Sequence, residues 1–297
     1  MKIIIDARFF GAETGIGRYV KELVENLEKV DNANQYVIFL RKKNWNEYAP
    51  KNQNFAKRLA DLGWYTLKEQ LFLGRYVDAE RADLCHFPHF NIPFFCGTPY
   101  VATIHDLILR HYHSARASTL GILGFRVKYF FYGLILRRAL RCAKRIVVPS
   151  YFVRNDIIKN FKIHPDKVRV IYEGLPNLPA GADLGAEFLS SRGIGDSKYL
   201  LYVGNCYPHK NLERLIEASV EVQKETPDLR LVLVGRRDYF SKRLEDEVNS
   251  RFNSSTHGQE QKPVFYGYSS DEELVTLYKH ASLYVFFFNG GVRSAAA

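Results

Sequence analysis

The stretch YLLYVGNCYPHKN at residues 199–211, followed by LERLIEA at 212–218, decides how the chain is organised. Its first five residues are apolar, rich in β formers and followed by Gly204, which predicts a buried strand. A short polar loop then leads to a segment with apolar residues at helical spacing. Asn211 stands where a helix is commonly capped. The stretch therefore predicts a strand, a loop and a helix in succession.

Lys210 gives this stretch a candidate function. It precedes the predicted helix, and the free N–H groups and the dipole of a helix N-terminus attract anions. Together with the lysine ammonium they would form a phosphate site. The alternative is a solvated lysine beside an ordinary helix cap, and this stretch alone does not decide between the two.

The opening of the chain repeats the same order of elements. Residues 2–5 predict a buried strand ending at Asp6, residues 10–17 predict a glycine-containing loop, and a helix follows. A strand, a glycine loop and a helix are typical of doubly wound α/β folds. Gly15 and Gly17 would let backbone N–H groups approach a phosphate, although such loops are often plain turns.

Composition bounds the class of protein. A chain of 297 residues suggests two domains, and an apolar content of 46% allows a sizeable core. We expect no signal peptide, because no basic-then-apolar leader opens the chain. We expect no membrane span, because no apolar run approaches the roughly 20 residues that a span needs. The four cysteines form no C-x-x-C pair and predict free thiols in a reducing cytosol.

The positive charge of the chain is local. The net charge is +10, and residues 107–155 contain no Asp or Glu but carry the whole excess of Lys and Arg. Within them, residues 124–142 predict a basic amphipathic helix with Arg126, Lys128, Arg137, Arg138 and Arg141. Such a helix can lie on an anionic membrane surface, form part of a core with a solvated basic face, or bind nucleic acid. We favour the membrane surface, because the stretch lacks any acid and the chain shows no nucleic-acid recognition motif.

His105 is the first candidate for contact with a substrate. It follows a predicted strand at 99–104 and precedes Asp106, and ligands of open α/β sheets bind at the carboxyl ends of strands. A histidine there can exchange a hydrogen bond or a proton near neutral pH. The alternative is a histidine that satisfies backbone groups. A zinc site with the neighbouring histidines and cysteines is disfavoured, because no ligand spacing fits.

The apolar runs predict two successive domains. We expect the first at 1–175, a linker rich in Gly, Pro and Ala at 176–197, a second domain at 198–286 and an aberrant tail at 287–297. The predicted strands are 2–5, 36–40, 64–67, 83–87, 99–104, 145–148 and 168–171 in the first domain, and 199–203, 230–234, 263–266 and 283–286 in the second.

Several motifs occur in the order known from one family. They are Ile5-Asp6-Ala7-Arg8, Thr14-Gly15-Ile16-Gly17-Arg18-Tyr19, Thr103-Ile104-His105-Asp106-Leu107, Val148-Pro149-Ser150, Val170-Ile171-Tyr172-Glu173-Gly174, Tyr202-Val203-Gly204, His209-Lys210-Asn211-Leu212, Leu233-Val234-Gly235 and Phe265-Tyr266-Gly267-Tyr268. Through them the chain resembles the retaining glycosyltransferase family 4 (glycosyl transferases group 1). It is most similar to the bacterial mannosyltransferases that build O-antigen and other surface polysaccharides. The resemblance implies the GT-B fold, with two Rossmann-like doubly wound α/β domains, the second incomplete.

The resemblance implies a nucleotide-diphosphate sugar as donor, with GDP-mannose suggested, bound mostly on the second domain. Lys210 would pair with its diphosphate, and Gly15 and Gly17 would approach the same phosphates. Gly235 and Tyr268 would border the nucleoside. No metal or other cofactor is expected, because a lysine and backbone dipoles can stabilise the leaving diphosphate.

The resemblance also gives His105 the catalytic position, where it would contact the transferring sugar and stabilise charge at the reacting centre. Asp106, Asn205, His209 and Glu173 would support the site. His209 stands where the family often has arginine, and Glu173 stands where it usually has asparagine, which leaves the nucleotide preference open. A glycan or lipid-linked acceptor would be used in the cytoplasm, at the inner face of the membrane that the basic helix would bind.

The chain departs from the family after residue 286. The family continues with Pro-Ser-x-x-Glu-Gly-Phe-Gly-Leu-Pro and a second glutamate, and these glutamates hold the donor sugar and the ribose. This chain instead reads FFNGGVRSAAA at 287–297. We therefore expect a truncated chain without catalytic activity. The alternative to an enzyme is a non-catalytic remnant that binds a membrane surface.

A shift of reading frame near Phe286 would explain this ending. The codons GGA GGG GTT CGG TCT GCC GCC GCT are allowed for residues 290–297, and read one nucleotide later they encode Glu-Gly-Phe-Gly-Leu-Pro-Pro. We predict that the DNA contains this frame after the codon for Phe286. Sequencing the gene tests the prediction, and a DNA sequence without that frame would contradict it.

Overall fold

The computed structural model describes residues 1–12, 14–112, 122–179, 181–195, 197–254 and 262–286, and for 122–123 and 253–254 the backbone alone. The chain forms two compact units, Met1–Pro176 and a second that begins at Asn177. The predicted tail at 287–297 lies outside the described residues.

The first unit is built on a seven-stranded sheet in the order β3-β2-β1-β4-β5-β6-β7. All neighbouring strands are parallel. Parallel strands are covered on both faces, which explains the continuous apolar run of the second strand. The strands are β1 Lys2–Asp6, β2 Gln35–Leu40, β3 Phe55–Leu59, β4 Leu84–Phe87, β5 Tyr100–Thr103, β6 Arg145–Val148 and β7 Val168–Val170.

Helices cover both faces of this sheet. One face packs against α1, Gly15–Val30, through Val20 and Val24. The other face packs against α2, α4 and α5, whose inner residues share one apolar core. Right-handed crossovers that run in opposite directions along a sheet lie on opposite faces, so the strand order dictates this division. The helices after α1 are α2 Leu67–Ala79, the short α3 Ile108–His111, α4 Ile122–Cys142 and α5 Tyr151–Phe161.

The second unit repeats the plan on a smaller scale. Its four parallel strands have the order β10-β9-β8-β11, with β8 inside the sheet. The helices α7 and α8 pack on one face, and α6 and α9 pack on the other. The predicted doubly wound α/β fold is therefore confirmed in both units. Its elements are α6 Gly185–Ser191, β8 Tyr199–Val203, α7 Leu212–Gln223, β9 Arg230–Val234, α8 Tyr239–Ser254, β10 Val264–Gly267, α9 Asp271–His280 and β11 Leu283–Tyr284.

The structure corrects two predictions from the sequence. Residues 176–197, predicted as a linker, contain α6, and the buried Leu189 and Ile194 belong to a core of the second unit. Residues 64–67, predicted as a strand, form the loop before α2 and its first residue. The missing strand is β3, which lies at the sheet edge, buries only its first residue and therefore lacks a long apolar run.

Arg8 is a fully buried charge directly after β1. Its guanidinium donates to both carboxylate oxygens of Asp6, at 2.7 and 2.8 Å, and to Glu69 of α2 at 2.6 Å. The second Glu69 oxygen accepts from the Asn91 amide at 2.6 Å and from the Tyr65 backbone N–H at 2.7 Å. Burial raises the pKa of Glu69 although Arg8 opposes that change. The Arg8–Asp6–Glu69 triad thus joins the sheet, α2 and the loop before it.

We predict that Glu69→Ala lowers the free energy of unfolding of the first unit by about 3–5 kcal/mol, because it leaves Arg8 incompletely paired in the interior. Urea unfolding followed by tryptophan fluorescence measures this, since Trp45 and Trp64 both lie in the first unit. The matched control is Asp166→Ala, which removes a pair with His164 whose side chains are 77% and 85% exposed. Equal effects of the two substitutions would contradict the prediction.

Candidate functional site

His105 lies beyond the carboxyl end of β5 and is held from two sides. Its Nε2 is 2.9 Å from the Pro88 carbonyl oxygen, and its Nδ1 is 2.9 Å from a carboxylate oxygen of Glu173. A carbonyl and a carboxylate only accept hydrogen bonds, so each ring nitrogen of His105 can donate to its partner when it carries a proton. The hydrogen bond from His105 holds the pKa of Glu173 below its usual value. The pair fixes an imidazole and a carboxylate at the edge where ligands of parallel sheets bind.

The other histidines of this edge are neutral. Burial, with a smaller contribution from the charge of His105, lowers the pKa of His86 to about 4 and that of His89 to about 3. His86 hydrogen-bonds to the Thr103 hydroxyl at 2.8 Å. Tyr19 of α1 packs edge-on against the His105 ring, with 4.7 Å between centroids. Its pKa is raised, chiefly by burial.

Tyr65 extends the site on the side of α2. Its hydroxyl is 2.8 Å from His89 Nε2, and the His89 ring is 6.5 Å from the His105 ring between centroids. Tyr65 has a φ of 58°, which is unusual for an aromatic residue, and the hydrogen bond from its N–H to Glu69 holds it there. Its side chain remains half-exposed. The buried triad therefore positions an exposed aromatic ring beside the histidines.

The first glycine loop has two different glycines. A Cβ on Gly17 would come within 2.7 Å of the carbonyl oxygens of Phe9 and Gly11, so this position needs glycine for packing within the chain. Its N–H already donates to the Thr14 hydroxyl, which caps α1. Around Gly15 there is open space. Gly15 therefore has open space beside it, whereas Gly17 does not.

The second unit places Lys210 at the end of a 3-10 turn, separated from α7 by Asn211 alone. Its ammonium lies 4.8 Å from the centre of the Phe286 ring. The neighbouring His209 has a pKa lowered to about 4 by burial and by Lys210. Asn211 does not cap α7 through its side chain, contrary to the sequence prediction. Its left-handed φ of 53° joins the 3-10 turn to α7, and its buried Nδ2 has no hydrogen-bond partner.

A small cavity of about 10 Å³ lies at the carboxyl ends of β8, β9 and β10. Gly235 contacts Gly204 so closely that a Cβ on Gly235 would overlap the Gly204 carbonyl oxygen, and its N–H donates to the Gly267 carbonyl at 2.9 Å. The Asn205 carbonyl accepts from the Tyr202 hydroxyl at 2.8 Å. Tyr268 follows β10 and is exposed. The cavity is lined by Tyr202, Gly204, Cys206, Leu233, Val234, Gly235, Arg237, Ser241, Glu245, Phe265 and Gly267.

The remaining predicted residues divide between the site and other roles. Asp106 accepts from the Ile108 N–H at 2.9 Å and stabilises the start of α3. On α4, Arg126, Lys128, Arg137 and Arg141 are exposed, whereas Arg138 is half-buried. Among the described residues, no group of His, Cys, Asp and Glu could hold a metal ion, and no helix is long and apolar enough to cross a membrane.

Sequence reasoning missed Tyr19, Tyr65 and His89 as parts of the site. Tyr19 was visible only as part of a loop motif, and Tyr65 was assigned to a strand. The signal that could have identified them is the pair Trp64-Tyr65 together with the clustered histidines. These residues can be recognised as parts of the site only because the fold brings Glu69 and Thr103 to the same edge.

Comparisons with known proteins divide the chain as the two units do. The family description Glycosyltransferase Family 4 matches residues 14–176, and Glycosyl transferases group 1 matches residues 187–288. The O-antigen chain mannosyltransferase RfbU of Salmonella typhimurium is 26% identical over 63% of this chain and 46% of its own length. An uncharacterized glycosyltransferase of Methanocaldococcus jannaschii is 28% identical over 68% of this chain and 49% of its own. The chain thus spans about half the length of these curated relatives.

A third relative and the solved structures cover more of the chain. O-antigen chain mannosyltransferase B of Escherichia coli is 26% identical over 93% of this chain and 74% of its own. Anabaena HepE in complex with UDP and glucose superposes with a TM-score of 0.66, at 18% identity, over 97% of this chain and 74% of its own. WaaG, which is involved in lipopolysaccharide biosynthesis, superposes with a TM-score of 0.64, at 15% identity, over 97% and 75%. At this identity the structural likeness shows the fold.

The neutral histidines make the first unit sensitive to acid. Because the pKa values of His86 and His89 in the folded chain lie below the ordinary value, the unfolded chain binds protons first as the pH falls. We predict that the free energy of unfolding falls between pH 6.5 and 5, by up to about 1.4 kcal/mol per pH unit for each histidine. Urea titrations followed by tryptophan fluorescence measure the slope. His86→Gln should reduce it and the exposed control His164→Gln should not; a flat profile would contradict the prediction.

Proposed function

The chain belongs to glycosyltransferase family 4, and we propose that it transfers a sugar from a nucleotide-diphosphate donor to an acceptor in surface-polysaccharide biosynthesis. The observation that carries this proposal is the His105 ring, fixed by Glu173 at the ligand-binding edge of the first sheet. The relatives named as O-antigen mannosyltransferases support GDP-mannose as donor and a glycan or lipid-linked acceptor.

Glycosyl transfer breaks the bond between the sugar C1 and the diphosphate oxygen and forms one between C1 and an acceptor hydroxyl oxygen. The diphosphate leaves with the bonding electrons, and the acceptor hydroxyl passes its proton to an oxygen of the leaving diphosphate. Lys210 and the N-terminus of α7 supply positive charge suited to a diphosphate. The His105 ring lies at the strand edge where the sugar or its acceptor would bind. With Lys210 in this role the proposed reaction needs no metal ion, and the family resemblance implies retention at C1.

Each ring nitrogen of His105 has its own hydrogen-bond partner. Nδ1–H is oriented by Glu173 and Nε2–H by the Pro88 carbonyl, so the ring cannot rotate without losing a charge-assisted hydrogen bond. Glu173 thereby acts as a positioning residue that fixes the orientation of the imidazole.

We expect His105→Asn to lower donor turnover by about 100-fold or more, because it removes the imidazole from the reacting centre. Glu173→Gln should lower turnover less and shift the pH profile, since an amide holds the imidazole less strongly than a carboxylate does. Release of GDP from GDP-mannose by the chain continued in the predicted reading frame after Phe286, in the presence and absence of EDTA, measures both, and NMR of the product gives the configuration at C1. His164→Gln is the control. Unchanged turnover in His105→Asn would contradict the proposed role.

We also propose that the chain works at the inner face of the cytoplasmic membrane. The support is the exposed basic surface of α4, formed by Arg126, Lys128, Arg137 and Arg141. Lipid surfaces of that leaflet are negative and attract clustered cations. This property depends on the first unit alone, so it would persist in a non-catalytic membrane-binding form of the protein. Vesicle binding without donor turnover would favour that second function over the enzyme.

A further inference from the structure

The outer face of α2 mixes apolar and basic side chains, a feature that the sequence did not reveal. Its inner face buries Leu73 and Val77 completely, whereas Leu67 is 72% exposed at the start of the helix. Lys68 and Arg75 are exposed at the centre of the outer face, Leu71 and Phe72 are exposed beside them, and Tyr76 is exposed at its margin. The Arg75 guanidinium is 5.6 Å from the centre of the Phe72 ring. A solvated helix does not need four exposed large apolar side chains.

The loop at Phe94 and Phe95 connects this face to α4. A Cβ on Gly74 of α2 would overlap the Phe95 carbonyl oxygen, so the helix and the loop are in backbone contact. On the other side, the Arg138 guanidinium of α4 lies 4.7 Å from the centre of the Phe94 ring. The Phe95 side chain itself is 64% exposed. The three elements therefore form one continuous surface.

The outer face of α4 has the same mixed character. Phe130 is 67% exposed, and Val127, Phe131 and Leu134 are exposed beside it. The exposed cations of α4 surround these residues, with no acid anywhere on the helix. Because α2 and α4 pack their inner residues into the same core on the same side of the sheet, their outer faces point the same way.

We propose that the outer faces of α2 and α4, with Phe94 and Phe95 between them, form one face that inserts its apolar side chains into an anionic lipid bilayer. Aromatic and aliphatic side chains mixed with Lys and Arg are the composition that binds at the boundary of headgroups and acyl chains. Charge complementarity selects an anionic bilayer as the occupant, because cations surround every apolar patch. Asp78 at the end of α2 does not oppose it, since its carboxylate accepts from the Gly97 and Thr98 N–H groups.

This face borders the candidate site. Leu67 is two residues from Tyr65, and Phe90 contacts both sides: its ring is 4.9 Å from Tyr132 of α4 and 4.2 Å from His89, between centroids. A substrate whose apolar tail stays in the bilayer would therefore reach the histidines along the edge of the inserted face. Resting on the proposed function, this geometry points to a lipid-linked acceptor.

Co-sedimentation with phosphatidylcholine vesicles, with and without about one third phosphatidylglycerol, tests the face at a salt concentration of about 0.1 M. We expect the parent chain to bind the anionic vesicles. Leu71→Gln with Phe72→Gln should weaken binding roughly ten-fold, and Arg137→Gln with Arg141→Gln should weaken it by a similar factor. The apolar control is Val30→Gln, at a 75% exposed residue of α1 on the opposite side of the sheet. The charge control is Lys29→Gln with Lys51→Gln, and both controls should bind like the parent chain.

Insertion has a readout of its own. In Phe72→Trp, brominated lipid should quench additional fluorescence relative to the parent chain, and in Val30→Trp it should not. The proposal is overturned if the parent chain ignores anionic vesicles, if the α2 variant binds as tightly as the parent chain, or if Phe72→Trp is not quenched. GDP release without vesicles, measured on the chain continued in the predicted reading frame after Phe286, tests the proposed function separately. Absence of that release would overturn the enzyme activity and leave the vesicle result standing.

Discussion

The buried Arg8–Asp6–Glu69 triad is the constraint on which the first unit depends. A guanidinium with no exposed surface is tolerated only because two carboxylates and the Leu62 carbonyl surround it. Glu69 in turn requires Asn91 and the Tyr65 N–H to satisfy its second oxygen. The end of β1, the loop before α2 and the loop after β4 are therefore fixed together.

The triad also influences the histidines of the site, through the contacts of Tyr65. Tyr65, held by Glu69, supplies a hydroxyl to His89, and the His89 ring lies near His105. Burial lowers the pKa of His86 and His89, and the nearby His105 adds to this effect, so these two rings stay neutral. His105 differs from them because its ring nitrogens face Glu173 and the Pro88 carbonyl. Its orientation is thus fixed by two acceptors, whereas the other two rings are held chiefly by burial.

The parts of this arrangement that follow from local pattern were predictable from the sequence. Long apolar runs identified most of the parallel strands, and the strand end before His105 placed that residue at the ligand-binding edge. The edge strand β3 was not predicted, because only Phe55 is buried. The left-handed backbone of Tyr65 and Asn211 was not predicted either, because in non-glycine residues it is imposed by contacts or junctions that span several elements. The role of Glu173 also depends on a contact with His105, 68 residues away in the chain.

The topology also explains why one surface of the first unit can carry a charge of one sign. Strand order places α1 alone on one side of the sheet and α2, α4 and α5 together on the other. The single helix α1 balances its acids Glu22, Glu25 and Glu28 with the bases Arg18, Lys21 and Lys29. Helix α4 carries cations only, on a layer whose outer apolar side chains are exposed. The two faces of one sheet therefore differ in charge and in apolar exposure, and such an asymmetry favours one orientation toward a negative surface. Under the proposed membrane binding, this orientation would bring the strand ends that carry His105, His89 and Tyr65, beside the basic layer, to the bilayer.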